Sequence, residues 1–252
     1  MLILTMTLMA FSAQAQSCPD DNHPHAIDLG LPSGTRWACC NVGADKPEAL
    51  GGYYAWGETE EKSQYDWDTY LYTDNDSIFI GEDIAGTEYD VAHVKWGGSW
   101  VMPSVEQIQE LADYSTFVYS TMNDVKGARF TGSNGNTVFL PAAGMRRFGD
   151  IDYAGTGGNY WTSTLTIGYI LYAYRLYYSV AGPYWYYDFF RQYGLSVRPV
   201  MSAAADLSAI RSDSQAHAVF NLYGMKVADS TNDLKNLPHG IYIVNGKKMV
   251  VD

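Results

Sequence analysis

The chain is short of charge, of basic residues above all, and of cysteine. Charged residues make up 17% of the 252 positions, and 28 acidic side chains outnumber 16 basic ones, for a formal net charge of −12. A field of that sign repels phosphate backbones and anionic headgroups, which argues against nucleic acid and membrane surfaces as partners. The three cysteines, Cys18, Cys39 and Cys40, leave room for one bridge, from Cys18 to Cys39 or to Cys40. Adjacent cysteines cannot bridge each other without strain, so at least one thiol remains, and a buried, inert role suits it. Long apolar runs are absent beyond residues 2–11, a stretch too short to span a bilayer. With Ala13-Gln14-Ala15 after it, that stretch reads as a signal peptide over residues 1–15, although a basic n-region is missing, and Gln16 would open the mature chain. No internal repeat and no low-complexity tract interrupts the text.

Aromatics, by contrast, are plentiful at 15%, with 21 tyrosines. Together with the low charge they point to a β-rich, extracellular type of domain. One stretch organises it: Trp96-Gly97-Gly98-Ser99-Trp100-Val101-Met102-Pro103-Ser104, running into the one helix the periodicity supports. Pro103 stops what precedes, Ser104 is an N-cap, and Gln107 completes a capping box. Val105, Ile108 and Leu111 then share a face. The two tryptophans around Gly97-Gly98 suggest backbones in close approach beneath large rings.

A polar, Pro-containing leader occupies residues 16–25. Residues 26–29 and 35–42 then read as a hairpin around Gly30-Leu31-Pro32-Ser33-Gly34, residues 47–50 as one helical turn, and residues 53–58 as a short extended run. Residues 59–95 are acidic and loop-like. Residues 128–131 and 137–140 form a hairpin around Gly132-Ser133-Asn134-Gly135-Asn136. A loop at 146–158 and a strand at 159–164 follow, then an aromatic hairpin of residues 169–180 and 184–190, and a period-two strand at 195–200. Residues 201–218, rich in Ala, Ser and Asp, read as a linker to three short strands at 219–222, 240–244 and 247–251, the last two joined by Asn245-Gly246.

Catalytic and metal patterns are scarce. No Gly-x-Ser-x-Gly elbow occurs, and the five histidines sit in the leader, a loop and the tail, away from any nucleophile. Asp74-Asn75-Asp76 with Glu82-Asp83 lacks the glycine and spacing of an EF-hand and reads as a solvated acidic loop. Gly155-Thr156-Gly157-Gly158 is followed by no helix, which makes it a poor phosphate cradle. Neither a cofactor nor a metal is expected on these grounds. Trp37, Trp56, Trp96, Trp100 and Trp161 are assigned to the core, where large rings dominate burial. Trp67 and Trp185 are better placed for contact. Between Tyr169 and Tyr193 both alternating faces carry aromatics, more than one buried face absorbs. The candidate ligand-binding residues are therefore Tyr184, Trp185, Tyr186, Asp188, Arg191 and Trp67, with Asp188 and Arg191 orienting hydroxyls.

Three segments read together are specific: Asp28-Leu29-Gly30-Leu31-Pro32-Ser33-Gly34-Thr35-Arg36-Trp37-Ala38, Tyr53-Tyr54-Ala55-Trp56-Gly57-Glu58, and residues 96–111. With Leu140-Pro141-Ala142-Ala143-Gly144, Tyr160-Trp161-Thr162-Ser163 and Val197-Arg198-Pro199-Val200, they resemble the Fibrobacter-type major paralogous domain (FISUMP) family over residues 26–200. The resemblance implies a fold similar to C-type-lectin-like and formylglycine-generating-enzyme-like domains. That fold is α+β, with curled antiparallel strands, one main helix and long loops. Adjacent Cys39-Cys40 does not match the copper-binding pair of formylglycine generation, and the calcium–sugar motifs of true C-type lectins are absent. Residues 219–252 resemble a C-terminal sorting domain of the type IX secretion system, through Leu237-Pro238-His239-Gly240-Ile241-Tyr242 and its surroundings. That resemblance implies a small all-β tail, the type IX machinery as partner, and passage through the periplasm to the outer surface.

Taken together, the sequence reads as a secreted or surface-anchored, non-catalytic binding or adhesion protein without a membrane span in its mature chain. Its ligand would be an extracellular glycan or a surface protein. The alternatives are an extracellular hydrolase of polysaccharide or peptide, using carboxylates such as Glu58, Asp150 or Asp152, and a structural surface-layer component.

Overall fold

The computed structural model describes residues 18, 20–73, 78–201, 219–221, 226–228, 237–244 and 247–251. The signal peptide, residues 202–218, Asp74-Asn75-Asp76 and the Asn245-Gly246 turn lie outside them, as do the side chains of Trp185 and Tyr186. The chain divides into two compact units, Met1–Ala203 and Ala204–Asp252. In order, the first contains β1 (Ala26–Asp28), β2 (Arg36–Ala38), α1 (Val91–Trp96), α2 (Val105–Tyr114), β3 (Thr116–Met122), β4 (Val125–Thr131) and β5 (Thr137–Pro141). It continues with β6 (Met145–Arg147), β7 (Asp150–Asp152), β8 (Gly158–Leu165), β9 (Tyr172–Ser179), β10 (Gly182–Phe190) and β11 (Val200–Met201). The second unit holds β12 (Val219–Asn221), β13 (Lys226–Ala228), β14 (Gly240–Val244) and β15 (Lys247–Val251). The fold is α+β, built mainly of antiparallel sheets, with two helices among the described residues. No described helix is long and apolar enough to cross a membrane.

The first unit is closed end on end. β2 lies between β1 and β11, with Trp37 opposite both Ile27 and Val200, so the unit's first and last strands share one sheet. Met201, read from sequence as linker, is the last residue of that sheet, opposite Arg36. Two further three-stranded sheets, β3-β4-β5 and β8-β9-β10, contribute the main core with α2. Trp37, Ile108, Leu111, Phe130, Leu140, Tyr160, Leu176 and Tyr178 meet there.

α2 forms for the reasons its sequence gives. Ser104 accepts from the Gln107 backbone N–H, the Gln107 side chain accepts from the Ser104 N–H, and Val105, Ile108 and Leu111 are buried. A second, shorter helix, α1, stands beside this main one and corrects the expectation of loop throughout 59–95. The Asp90 carboxylate caps it by accepting from the Ala92 and His93 N–H groups, while its other oxygen accepts from Gly86 and Met102. Burial raises the Asp90 pKa, against the four backbone hydrogen bonds that act to lower it.

Around a second core, residues 53–56 form an extended segment, bridged at Tyr54 to Leu195, whose side chains alternate between two faces. Tyr54 and Trp56 join Trp161, Met102 and Leu195 on one side, whereas Tyr53 and Ala55 meet Tyr65, Tyr70 and Ala143 on the other. The acidic segment is pinned there by tyrosine hydroxyls, Tyr65 donating to the Tyr53 carbonyl and Tyr70 to that of Trp56 at 2.7 Å. Residues 146–158 also depart from a plain loop, since β6 and β7 pair as a hairpin. Gly144 lies directly behind it at φ +70°, where a Cβ would sit 2.1 Å from the Asp152 carbonyl oxygen; only glycine allows that approach. Residues 47–50 form turns instead of helix.

Trp37, Trp56 and Trp161 are fully buried, but Trp96 and Trp100 are only half-buried and pack edge-on against each other at 5.4 Å. Their assignment to the core is corrected in degree: Trp96 packs against the second core from its margin, and Trp100, in contact with Trp96, belongs to none of the core clusters among the described residues. Gly97 and Gly98 take φ +66° and +59°, and an added Cβ would meet nothing within 4 Å. They serve a left-handed turn and not a close approach.

In the second unit β12 lies between β13 and β14, and β15 completes an antiparallel sheet of four. Among its described side chains Val219 and Tyr242 are buried, with Ala228, Leu237 and Val251 packed on them.

Candidate functional site

The hairpin β9–β10 carries the largest group of the residues singled out from sequence. Its inner face supplies Leu176 and Tyr178 to the core. The opposite face begins with buried Ala173 and Arg175 and continues outward with half-buried Tyr177. Tyr184 lies opposite Tyr177 and Tyr187 opposite Arg175, with a register shift between them. The Tyr177 and Tyr184 rings stack at 5.9 Å with an interplanar angle of 20°, and Tyr187 lies 6.3 Å from Tyr177. Tyr184 and Tyr187 remain 43% and 55% exposed, so this row of rings faces solvent.

Beneath them sits Arg175. Its guanidinium lies 3.7 Å from the Phe189 ring centre, 5.5 Å from Tyr177 and 5.8 Å from Tyr187, and Nη1 donates to the Asn159 side-chain oxygen. Nε has no hydrogen-bond partner among the described residues. Burial pulls the Arg175 pKa down to about 10, which still leaves a cation at neutral pH. A cation held against aromatic faces fixes the rings and puts positive potential behind them.

The other proposed contact residues separate. Asp188 is exposed on the same hairpin, opposite Tyr174. Arg191 is 1% exposed, which corrects its role as a hydroxyl ligand. Its Nη1 donates to the Ile78 and Ile170 carbonyls at 2.6 and 2.7 Å, and its charge lies 4.6 Å from the Trp56 ring, so it braces loops from within. Trp67 is 37% exposed, but its ring contact is with Tyr70 at 5.9 Å, and no described ring contact joins it to the hairpin. Trp185 and Tyr186 lie in the strand, their side chains outside the described set.

The carboxylates considered for hydrolysis do not converge. Glu58 is buried, 2.8 Å from the Lys62 ammonium, and accepts from the Leu71 N–H. Asp152 pairs with Arg147 at 2.9 Å, and Asp150 is exposed at the start of the same strand.

A second constellation was not foreseen. The leader folds back on the end of β2, the Cys39 N–H donating to the His25 carbonyl at 2.9 Å. This gathers Cys18, His23, His25 and Cys39 so that one donor atom of each lies within 4.8 Å of all the others. His23 Nδ1 is 3.1 Å and His25 Nδ1 3.7 Å from Cys39 Sγ, which also accepts the His25 N–H at 3.0 Å. His25 Nε2 faces the Asp20 carboxylate at 3.0 Å. A hydrogen bond with Cys40 and burial push the Cys39 thiol up to about 12. The sequence signal was Cys18 with His23 and His25 spaced like ligands on one short segment; the fourth member comes only from the fold. A cleft of about 590 Å³, lined by Cys18, Asp20, His23, Glu48 and Asn123 among others, opens beside it.

Compared with protein-family models, with curated proteins and with solved structures, the chain finds no match. The structure defines the protein by its architecture, an α+β unit of mainly antiparallel sheets followed by a small all-β unit.

Proposed function

We propose that the chain is a non-catalytic binding or adhesion protein, secreted or held at the outer cell surface, that recognises extracellular carbohydrate through the outer face of β9–β10. One observation supports this most: Tyr177, Tyr184 and Tyr187 form a solvent-facing row of rings on a hairpin whose other face is core. Such rings stack on the apolar faces of sugars while their hydroxyls stay wet, and ordering them costs little entropy. Asp188, exposed on the same strand but opposite Tyr174, belongs to the hairpin's other face and is not part of this row. The motifs add the setting. On their strength the first unit is a lectin-like domain of the FISUMP kind, and residues 219–252 are a type IX sorting tail that takes the protein through the periplasm.

Glycan-array binding of the purified chain tests the proposal. A double variant, Tyr184→Ala with Tyr187→Ala, is expected to lose at least tenfold in affinity for the retained glycan, about 1.4 kcal/mol or more, with an unchanged denaturant midpoint. No glycan retained, or undiminished binding by the double variant, overturns it.

A further inference from the structure

We propose that Cys18, His23, His25 and Cys39 form a four-ligand Zn²⁺ site that fastens the leader to the end of β2. The argument is geometric. A tetrahedral zinc with Zn–S near 2.3 Å and Zn–N near 2.0–2.1 Å needs donors about 3.3–3.8 Å apart. Of the two histidine-to-Cys39 separations, 3.1 Å falls just short of that range and 3.7 Å lies inside it, and all four donors lie within 4.8 Å of one another, so small side-chain adjustments suffice. Two sulfurs and two imidazoles are the ligand set of structural zinc, and softer than the oxygen sets that hold calcium or magnesium.

The surroundings are those of a ligand set as well. His25 turns Nδ1 toward Cys39 and Nε2 toward the Asp20 carboxylate, the arrangement in which an outer carboxylate fixes the tautomer of a metal-bound histidine. The Cys39 sulfur accepts a backbone N–H from His25, which stabilises a thiolate. Behind it, Arg198 Nη1 donates to the Ala38 and Cys39 carbonyls, both at 3.0 Å, so the strand end that presents the sulfur is held from inside the core. Zinc binding would release a proton from each thiol, and two thiolates would neutralise the ion's double charge. Four protein ligands leave no open position, so the role is structural. The site is separate from the β9–β10 face and stands whether or not that face binds glycan.

The test uses the full chain, purified under reductant and stripped of metal, then titrated with Zn²⁺ against a chromophoric chelator and, separately, with Co²⁺. One equivalent of zinc is expected, and cobalt should give the intense visible bands and thiolate charge-transfer absorption of four-coordinate sulfur ligation. Cys18→Ser and His23→Ala should each weaken zinc at least tenfold, and Asp20→Ala by about 10–100-fold. Cys40→Ser should leave the stoichiometry at one equivalent and the cobalt spectrum four-coordinate. Should Cys39→Ser fail to fold, Cys18→Ser decides, because Cys18 lies in the leader. The proposal is overturned by zinc bound equally by wild type and Cys18→Ser, by a six-coordinate cobalt spectrum, by retention of copper with no affinity for zinc, or by a Cys18–Cys39 or Cys18–Cys40 disulfide in protein isolated without reductant.

Discussion

Two buried arginines in the first unit do opposite things with the same charge. Arg198, fully buried, spends its fork on four acceptors: the Asn41 side chain at 2.7 Å and the carbonyls of Ala38, Cys39 and Phe139. It ties the end of β2 and the bend that follows it to β5 and to the final run of the unit, which gives a physical reason for arginine in Val197-Arg198-Pro199-Val200. Arg175 is nearly as buried but has Asn159 and aromatic faces for company, an unpartnered Nε, and no ion pair among the described residues. Removing the first leaves three buried carbonyls unsatisfied, so Arg198→Leu should cost about 3–5 kcal/mol in denaturant melts. Arg175→Met exchanges a poorly compensated charge for an apolar side chain of similar length, and stability should stay within about 1 kcal/mol or rise. Equal losses for the two variants would show that Arg175 too is a structural brace. If Arg175→Met keeps its stability but binds glycan less well, the charge serves the rings above it.

At the scale of elements, the tryptophans separate what is buried from what is merely aromatic. Trp56 donates its indole N–H to the Thr162 carbonyl at 2.8 Å inside the second core, whereas Trp100 packs on Trp96 at that core's margin. Trp56→Ala is expected to cost about 3–5 kcal/mol and Trp100→Ala less than about 2 kcal/mol, read from urea midpoints. A larger loss at Trp100 would mean that its ring is part of the core. The elements legible from sequence were those whose signal is local. The capping box and the Val105, Ile108, Leu111 stripe fix α2, and the glycine–asparagine turn fixes β4–β5. α1 escaped because six residues are too few to show a period, and its cap, Asp90, lies in a run of other acids where nothing marks it as buried. β3 was missed although Asn123 and Asp124, both at positive φ, form the two-residue turn that joins it to β4. The hairpin's aromatic excess was visible, but which rings face outward depends on the register shift beyond Tyr184. Arg191 is buried for the same kind of reason, since directly after the hairpin the chain turns inward. The Cys/His cluster needs residues 18–25 to fold back on β2, and no spacing rule gives that.

For the molecule as a whole, the division at Ala203 and Ala204 has a direct experimental counterpart. A chain ending after Ala203 should fold with the thermal midpoint of the first unit in the full protein, because the clusters around Trp37 and Trp56 draw on no described residue of the second. Expressed in a host with type IX export, it should collect folded in the periplasm; surface display of the shortened chain, or its failure to fold, would refute the two-part reading. The closure of the first unit also bears on how it would carry load. In a protein suspended by its tail, any pull enters at Met201 and reaches Val200, which is paired with Trp37 on one side and hydrogen-bonded in both directions to Val101 on the other. Immediately behind stands the Arg198 clamp. Tension along this path must shear several buried hydrogen bonds together before any strand peels away. A tether there would meet the domain at one of its firmest points, and a glycan held on the aromatic hairpin would supply the opposing pull.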